Sequence, residues 1–212
     1  MKLYGFFRSG TSHRTRIVLN LKGLDYDTNF VSLAKNEHHQ PSFKVINPQG
    51  FVPVLETEQD KLTQSPAIIE WLEEQYPKPA LLPSDALGKA KVRAIAALVG
   101  CDIHPLNNKR VLEYLRNDLS LNEEQVLAWC RQWIRSGFEA LEQLLVSNPS
   151  RGKFCYGNQP TLADAYLIPQ VDSARRFKVD LSLYPRIAEI YEHCMTLDAF
   201  KKAAPEQQPD AF

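Results

Sequence analysis

Asn47-Pro48-Gln49-Gly50-Phe51-Val52-Pro53-Val54-Leu55, followed by Lys61-Leu62-Thr63 and then Gln64-Ser65-Pro66-Ala67-Ile68-Ile69, decides the fold. Proline lacks the N–H that a central strand must donate, so Pro53 marks a strand's first residue after the turn at 47–50. A second short apolar strand follows at 61–63. Ser65-Pro66 then offers a hydroxyl N-cap with proline in the first turn, where its missing N–H costs nothing. The segment reads as strand, strand, helix. Two readings of Val52 stay open: an ordinary tight loop, or, with a cis Pro53, a backbone turned outward to pair with an extended peptide ligand.

Upstream, Leu3–Phe7, Thr15–Leu21 and Tyr26–Val31 alternate as strand, helix and strand, so the first 80 residues form a βαβ unit followed by a ββα unit. Downstream, Tyr76-Pro77-Lys78-Pro79-Ala80-Leu81-Leu82-Pro83 has the composition of a linker. Beyond it the strand signal vanishes. Long amphipathic patterns run at about 88–117, 122–146 and 161–176. Thr161-Leu162-Ala163-Asp164 has capping-box spacing, with Asp in place of the commoner Glu.

Composition narrows the function classes. The 212 residues are 44% hydrophobic, enough for a large core. The 25 Lys+Arg balance the 25 Asp+Glu, so no global field draws the protein to nucleic acid or an anionic membrane. The longest apolar run, about eight residues at 94–101, falls short of the roughly 20 that span a bilayer. No signal-peptide pattern follows Met1, and a cytoplasmic location is expected. Cys101, Cys130, Cys155 and Cys194 lack CxxC spacing and read as small buried hydrophobes. The five histidines show no zinc-binding spacing, so no metal is expected.

Arg8-Ser9-Gly10-Thr11-Ser12 is a hydroxyl-rich turn between a strand and a helix. Its backbone N–H groups and hydroxyls sit at the positive end of a helix dipole, which suits a small anion.

These features together resemble the zeta-class glutathione transferases over essentially the whole chain. The residues that carry the resemblance are Phe7-Arg8-Ser9-Gly10-Thr11-Ser12-His13-Arg14-Thr15-Arg16, the stretch from Asn47 to Leu55, Gln64-Ser65-Pro66-Ala67-Ile68-Ile69-Glu70-Trp71-Leu72, Pro169-Gln170-Val171 with Ala174-Arg175-Arg176-Phe177, and the terminal Gln208-Pro209-Asp210. The signature departs in three places. Thr11 stands where the class usually has cysteine, and Gly10 and His13 replace its second serine and its tryptophan. This variant is similar to bacterial maleylpyruvate isomerases, a branch of the class that also holds the maleylacetoacetate isomerases.

The resemblance implies an N-terminal thioredoxin-like domain at 1–80, a linker at 81–88 and an all-helical C-terminal domain at 89–212. It implies glutathione as cofactor, a small dicarboxylate substrate and a homodimer. The implied glutathione contacts are Ser9, Gly10, Thr11, Ser12, His13, Arg14, His38, Gln49, Val52, Pro53, Gln64, Ser65, His104, Asn108, Lys109 and Arg110. Catalysis would fall to Ser9 or Thr11, supporting a thiolate, and to Arg8, Arg110 and Arg176, placed in the family's interdomain cleft to hold carboxylates.

The chemistry is consistent with the residues themselves. With no cysteine at the first helix start, the sulfur must arrive with a ligand. A thiolate adding to a cis alkene conjugated with a ketone leaves a rotatable single bond, and elimination returns the trans isomer with the thiolate regenerated. Taken without the family, Arg8 reads as a solvated turn residue, Arg110 as one charge among several, Arg176 as a surface residue beside Arg175, and His104 as a satisfied helix histidine. Trp129 and Trp133 read as packing aromatics, and Glu73-Glu74 as a solvated face. A conjugating glutathione S-transferase is the second reading, for which three arginines make a poor apolar pocket. A non-catalytic transferase-like module is the third, disfavoured by the intact hydroxyls.

Overall fold

A computed structural model describes residues 1–211. β1 (Lys2–Gly5), α1 (Gly10–Leu21) and β2 (Asp27–Phe30) come first, then the one-turn α2 (Pro41–Lys44). β3 (Val54–Glu56), β4 (Lys61–Thr63) and α3 (Ser65–Gln75) complete a four-stranded sheet of order β2-β1-β3-β4. β1 pairs parallel with β2, with Leu3 opposite Thr28, and antiparallel with β3, with Leu3 opposite Leu55. β3 and β4 are antiparallel. The parallel pair needs a crossover, which α1 supplies, and the result is the thioredoxin-like βαβ–ββα order.

Alternation along β1 divides the core between the two sheet faces. Leu3 and Leu55 are fully buried, as are Ile17, Leu19, Ile68 and Leu72 of α1 and α3. Tyr4 and Phe6 take the other face, in a cluster with Val31, Phe43, Val52 and Val54. Each such aliphatic side chain contributes roughly 1.5–3 kcal/mol of transfer free energy.

The chain forms two compact units. The first comprises residues 1–81 together with the described residues from Met195 on, and the second runs from Leu82 to Cys194. The tail, expected within the helical domain, therefore packs in the first unit. The reason is α9 (Asp198–Ala203), which lies along α1: Arg16 Nε donates to the Ala203 carbonyl at 3.0 Å and Asn20 Nδ2 to that of Ala199 at 3.0 Å.

In the second unit α4 (Ala86–Ala97) begins on Asp85, whose carboxylate accepts from the Gly88 N–H at 2.7 Å. The single long pattern expected to residue 117 is broken. A π-helical turn (Leu98–Ile103) and a 3₁₀ turn (His104–Asn107) separate α4 from α5 (Lys109–Asn117), because Pro105 has no N–H to continue the helix. α6 (Glu123–Ser147) buries Val126, Cys130, Ile134, Phe138, Leu141 and Leu145 along one stripe. α7 (Leu162–Arg176) is buried nearly all round, and α8 (Pro185–Cys194) packs against it. The capping box holds: Asp164, fully buried, accepts from Thr161 N and Oγ1 and from the Cys155 N–H. Among the described residues no helix is long and apolar enough to cross a membrane.

Two further expectations change. Glu73 does not lie on a solvated face, since it pairs with Lys22, whose side chain is wholly buried and also donates to the Tyr76 and Pro79 carbonyls. Cys101 is exposed, unlike Cys130, Cys155 and Cys194, because the π-helical turn presents it outward. Burial raises the Cys130 thiol to about 11 and lifts Cys155 and Cys194 further, so these three are protonated packing groups.

Candidate active site

The start of α1 is built from hydroxyls. Ser9 caps it, and its Oγ accepts from the Ser12 N–H at 3.3 Å. Thr11 Oγ1 donates to the Val52 carbonyl at 2.8 Å and lies 2.9 Å from Ser9 Oγ. A hydroxyl has one proton. Since Thr11 gives its proton to Val52, Ser9 is the donor of the pair. The hydrogens thus run from Ser9 to Thr11 to Val52, and Ser9 holds the proton that can be redirected by one rotation without releasing a backbone carbonyl.

Arg8 is exposed, with its guanidinium 5.7 Å from the centre of the Phe7 ring. Gly10 is half-buried. Ser12, His13 and Arg14 are buried to 2% exposure or less; in this conformation they build the helix base and do not line its open end. Burial, reinforced by Arg16 and Arg14, holds His13 well below the usual histidine value and therefore neutral.

The Val52–Pro53 bond is cis, as one of the two sequence readings required, and both residues are buried. The preceding loop is fixed by Asn47, whose amide donates to the Phe51 carbonyl at 2.8 Å and whose Oδ1 accepts from the Gln49 N–H at 3.1 Å. Gly50 has a positive φ of 66°, and a Cβ there would sit 2.8 Å from the His38 carbonyl, so only glycine fits. His38 itself is buried, its ring stacked 3.9 Å from that of His39. Gln64 Nε2 donates to Gln49 Oε1 at 2.6 Å, which brings two candidate ligand residues together. α3 begins one residue earlier than a Ser65 cap implies. Gln64 precedes it at φ 66°, and buried Ser65 is its first residue. Gln64 occupies the left-handed region that costs a non-glycine residue of order 1–3 kcal/mol, the kind of strain found at ligand sites.

In the second unit His104 and Asn108 approach to 3.4 Å (His Nε2 to Asn Nδ2). Lys109 pairs with Glu113, and Arg110 is exposed in the first turn of α5. Trp129 Nε1 donates to the Leu106 carbonyl at 2.7 Å, and its ring meets that of Trp133 edge-on. Trp129 thus supports the 104–108 turn, whereas Trp133, read from the sequence as a packing aromatic, is exposed. Arg176, exposed at the end of α7, is steadied by Ser173 Oγ at 3.2 Å and stacks on Phe177 at 4.8 Å. Its neighbour Arg175 instead covers the Tyr191 ring at 3.9 Å.

The first unit contains no cysteine, so a thiol at the α1 hydroxyls has to come from a ligand. Residues 8–75 match the model of the glutathione S-transferase N-terminal domain, and residues 123–193 that of its C-terminal domain. The chain is 59% identical over 211 residues to a maleylpyruvate isomerase of Ralstonia, with all of both chains covered. It belongs to the glutathione S-transferases. A solved holo structure of a zeta-class bacterial maleylpyruvate isomerase superposes with a TM-score of 0.99 at 59% identity and full coverage of both chains. A maleylacetoacetate isomerase from Methylobacterium extorquens AM1, solved with malonate and glutathione bound, matches with a TM-score of 0.97 at 38% identity, also over both full chains.

Within this frame the sequence pointed to the hydroxyl turn, the Val52 turn and the arginines. It did not reveal their supports. Asn47, Arg16 and Asp210 act on backbone groups of the site segments. For Asn47 the signal was present, an Asx residue two positions before the N–H it accepts. The Asp210 bond spans 203 residues and has no local signal.

Proposed function

We propose that this chain is a glutathione-dependent cis–trans isomerase of a maleyl-keto acid, either maleylpyruvate or maleylacetoacetate, with the α1 turn holding the sulfur and the arginines holding the carboxylates. The observation that carries it is the Ser9–Thr11–Val52 hydroxyl chain at a helix start without a cysteine. Its donors fit a thiolate, and glutathione is the thiol that accompanies this fold in the relatives.

When bound, glutathione supplies a thiolate that adds to the conjugated cis alkene and leaves once the bond has rotated. Ser9 Oγ donates to that sulfur, leaving Thr11 on Val52, and the α1 dipole favours the anion. The Val52 backbone pairs with the extended tripeptide, and Gln64 and Ser65 at the start of α3 hold its γ-glutamyl carboxylate. We assign His104, Asn108 and Lys109 to glutathione as well, on the family resemblance. Arg8, Arg110 and Arg176 take the substrate carboxylates and the enolate charge that develops as the thiolate adds. The enzyme works as a cytoplasmic homodimer, consistent with the symmetric association usual for soluble oligomers; light scattering at micromolar concentration tests this directly.

Isothermal titration with glutathione, repeated with Ser65→Ala, tests the cofactor assignment. Binding in the micromolar to millimolar range that weakens in the variant is expected. Absence of binding overturns it.

A further inference from the structure

The peptide that leads into Arg8 is held from both sides by charged side chains. The Phe7 N–H donates to Asp210 Oδ2 at 3.0 Å, and the Phe7 carbonyl accepts from Arg16 Nη2 at 2.9 Å. The preceding residue is also tied. The Phe6 N–H reaches Ser12 Oγ at 3.4 Å, and the Phe6 carbonyl accepts from the Ser9 N–H at 3.1 Å and from Arg16 Nη1 at 3.4 Å. All of these partners except Asp210 are local to the turn or to α1. Asp210 arrives from the far end of the chain.

Its delivery is fixed as well. Arg16 Nε donates to the Ala203 carbonyl, so the guanidinium that holds the Phe7 carbonyl also anchors the tail. Gln208 is buried, and its amide donates to the carbonyls of Lys202 at 2.8 Å and Ala204 at 3.0 Å. Pro209, whose φ is locked, then directs Asp210 back to the turn. Burial lowers Arg16 to about 10, and Tyr26 and then Asp210 oppose that shift. The other Asp210 oxygen, Oδ1, is buried with no partner among the described residues.

We propose that Asp210 is a positioning residue for the isomerisation: by fixing the Phe7 N–H it sets the direction in which Arg8 and Ser9 present their side chains. Arg8 is exposed, so its own packing restrains it little beyond the Phe7 ring, and both ring and backbone depend on the same peptide. Misplacement of about 1 Å in such a group is enough to cost on the order of 100-fold in rate. The inference rests on the roles of Arg8 and Ser9 proposed above.

Asp210→Ala and Asp210→Asn in the full-length enzyme test it, measured beside Arg8→Met. The alanine variant should lose about tenfold or more in kcat/KM for the maleyl-keto acid, while glutathione affinity, set at the Gln64–Ser65 end, changes less than about twofold. The asparagine variant keeps an oxygen that accepts the Phe7 N–H and should recover most of the loss; it also serves if the alanine variant does not fold. Wild-type kcat and KM in Asp210→Ala beside an impaired Arg8→Met overturns the inference alone. An Asp210→Asn no better than alanine, or losses that only track a lower Tm with no change in the split between kcat and KM, also overturns it. If Arg8→Met is unimpaired too, the site assignment falls first and the inference with it.

Discussion

Thr11 Oγ1 donates to the Val52 carbonyl at 2.8 Å while standing 2.9 Å from Ser9 Oγ, so one threonine joins the helix cap to the cis-proline loop and leaves Ser9 as the donor of the pair. This order of hydrogens separates the two hydroxyls functionally.

Ser9→Ala should lower turnover on the order of 10- to 1000-fold, the cost of removing one donor from a developing anion. Thr11→Val should cost less, because it frees the Ser9 proton as it cuts the tie to Val52. The ultraviolet absorbance of bound thiolate, titrated against pH, checks both. The reverse order of effects, or a double variant with wild-type turnover, would show that the helix terminus alone stabilises the sulfur.

The arginines should show themselves by substrate. Arg176→Met keeps an aliphatic stem and deletes the guanidinium that lies over Phe177, so turnover of a maleyl-keto acid should fall about tenfold for each 1.4 kcal/mol lost. Conjugation of a neutral aromatic electrophile should barely change. Arg8→Met should behave likewise. Equal losses with both substrates would assign these residues to the fold or to glutathione.

Lys22 and Glu73 form a buried pair with two backbone carbonyls on the lysine. Lys22→Met removes the cation from Glu73, whose carboxylate keeps the Leu81 N–H, and should destabilise the protein by roughly 3–5 kcal/mol. Urea denaturation measures this, and a loss under about 1 kcal/mol would mean that Glu73 finds water.

His13 gives the fold an acid-sensitive element. Burial keeps its folded-state pKa well below 6.5, so below pH of about 6.5 the unfolded chain takes up a proton that the folded chain refuses. Stability then falls with pH at up to about 1.4 kcal/mol per unit, down to the folded pKa. His13→Phe should remove that slope. Parallel stability curves for the two proteins between pH 7 and 5 would contradict the assignment.

The sequence exposed what is local. Proline at a strand start, a Ser-Pro helix start, a hydroxyl turn and an Asp-for-Glu capping box are each carried by a few adjacent residues. Features that depend on distant partners stayed hidden. α9 carries no pattern that says it will lie on α1, and Lys22 and Glu73 look like surface charges until the 76–81 segment folds over them. The π-helical turn at 98–103 was concealed because its residues continue the apolar period of α4, with only Pro105 marking the end. Gln64 in the left-handed region could not be read either, since no glycine announces it.

The most direct test of the central assignment is the stoichiometry of glutathione. With maleylpyruvate or maleylacetoacetate in at least about hundredfold excess over glutathione, the cis substrate should convert fully to the trans isomer while the free-thiol titre returns to its starting value, and no conversion should occur without the thiol. Consumption of one thiol per product formed would make the enzyme a conjugating transferase and contradict the account.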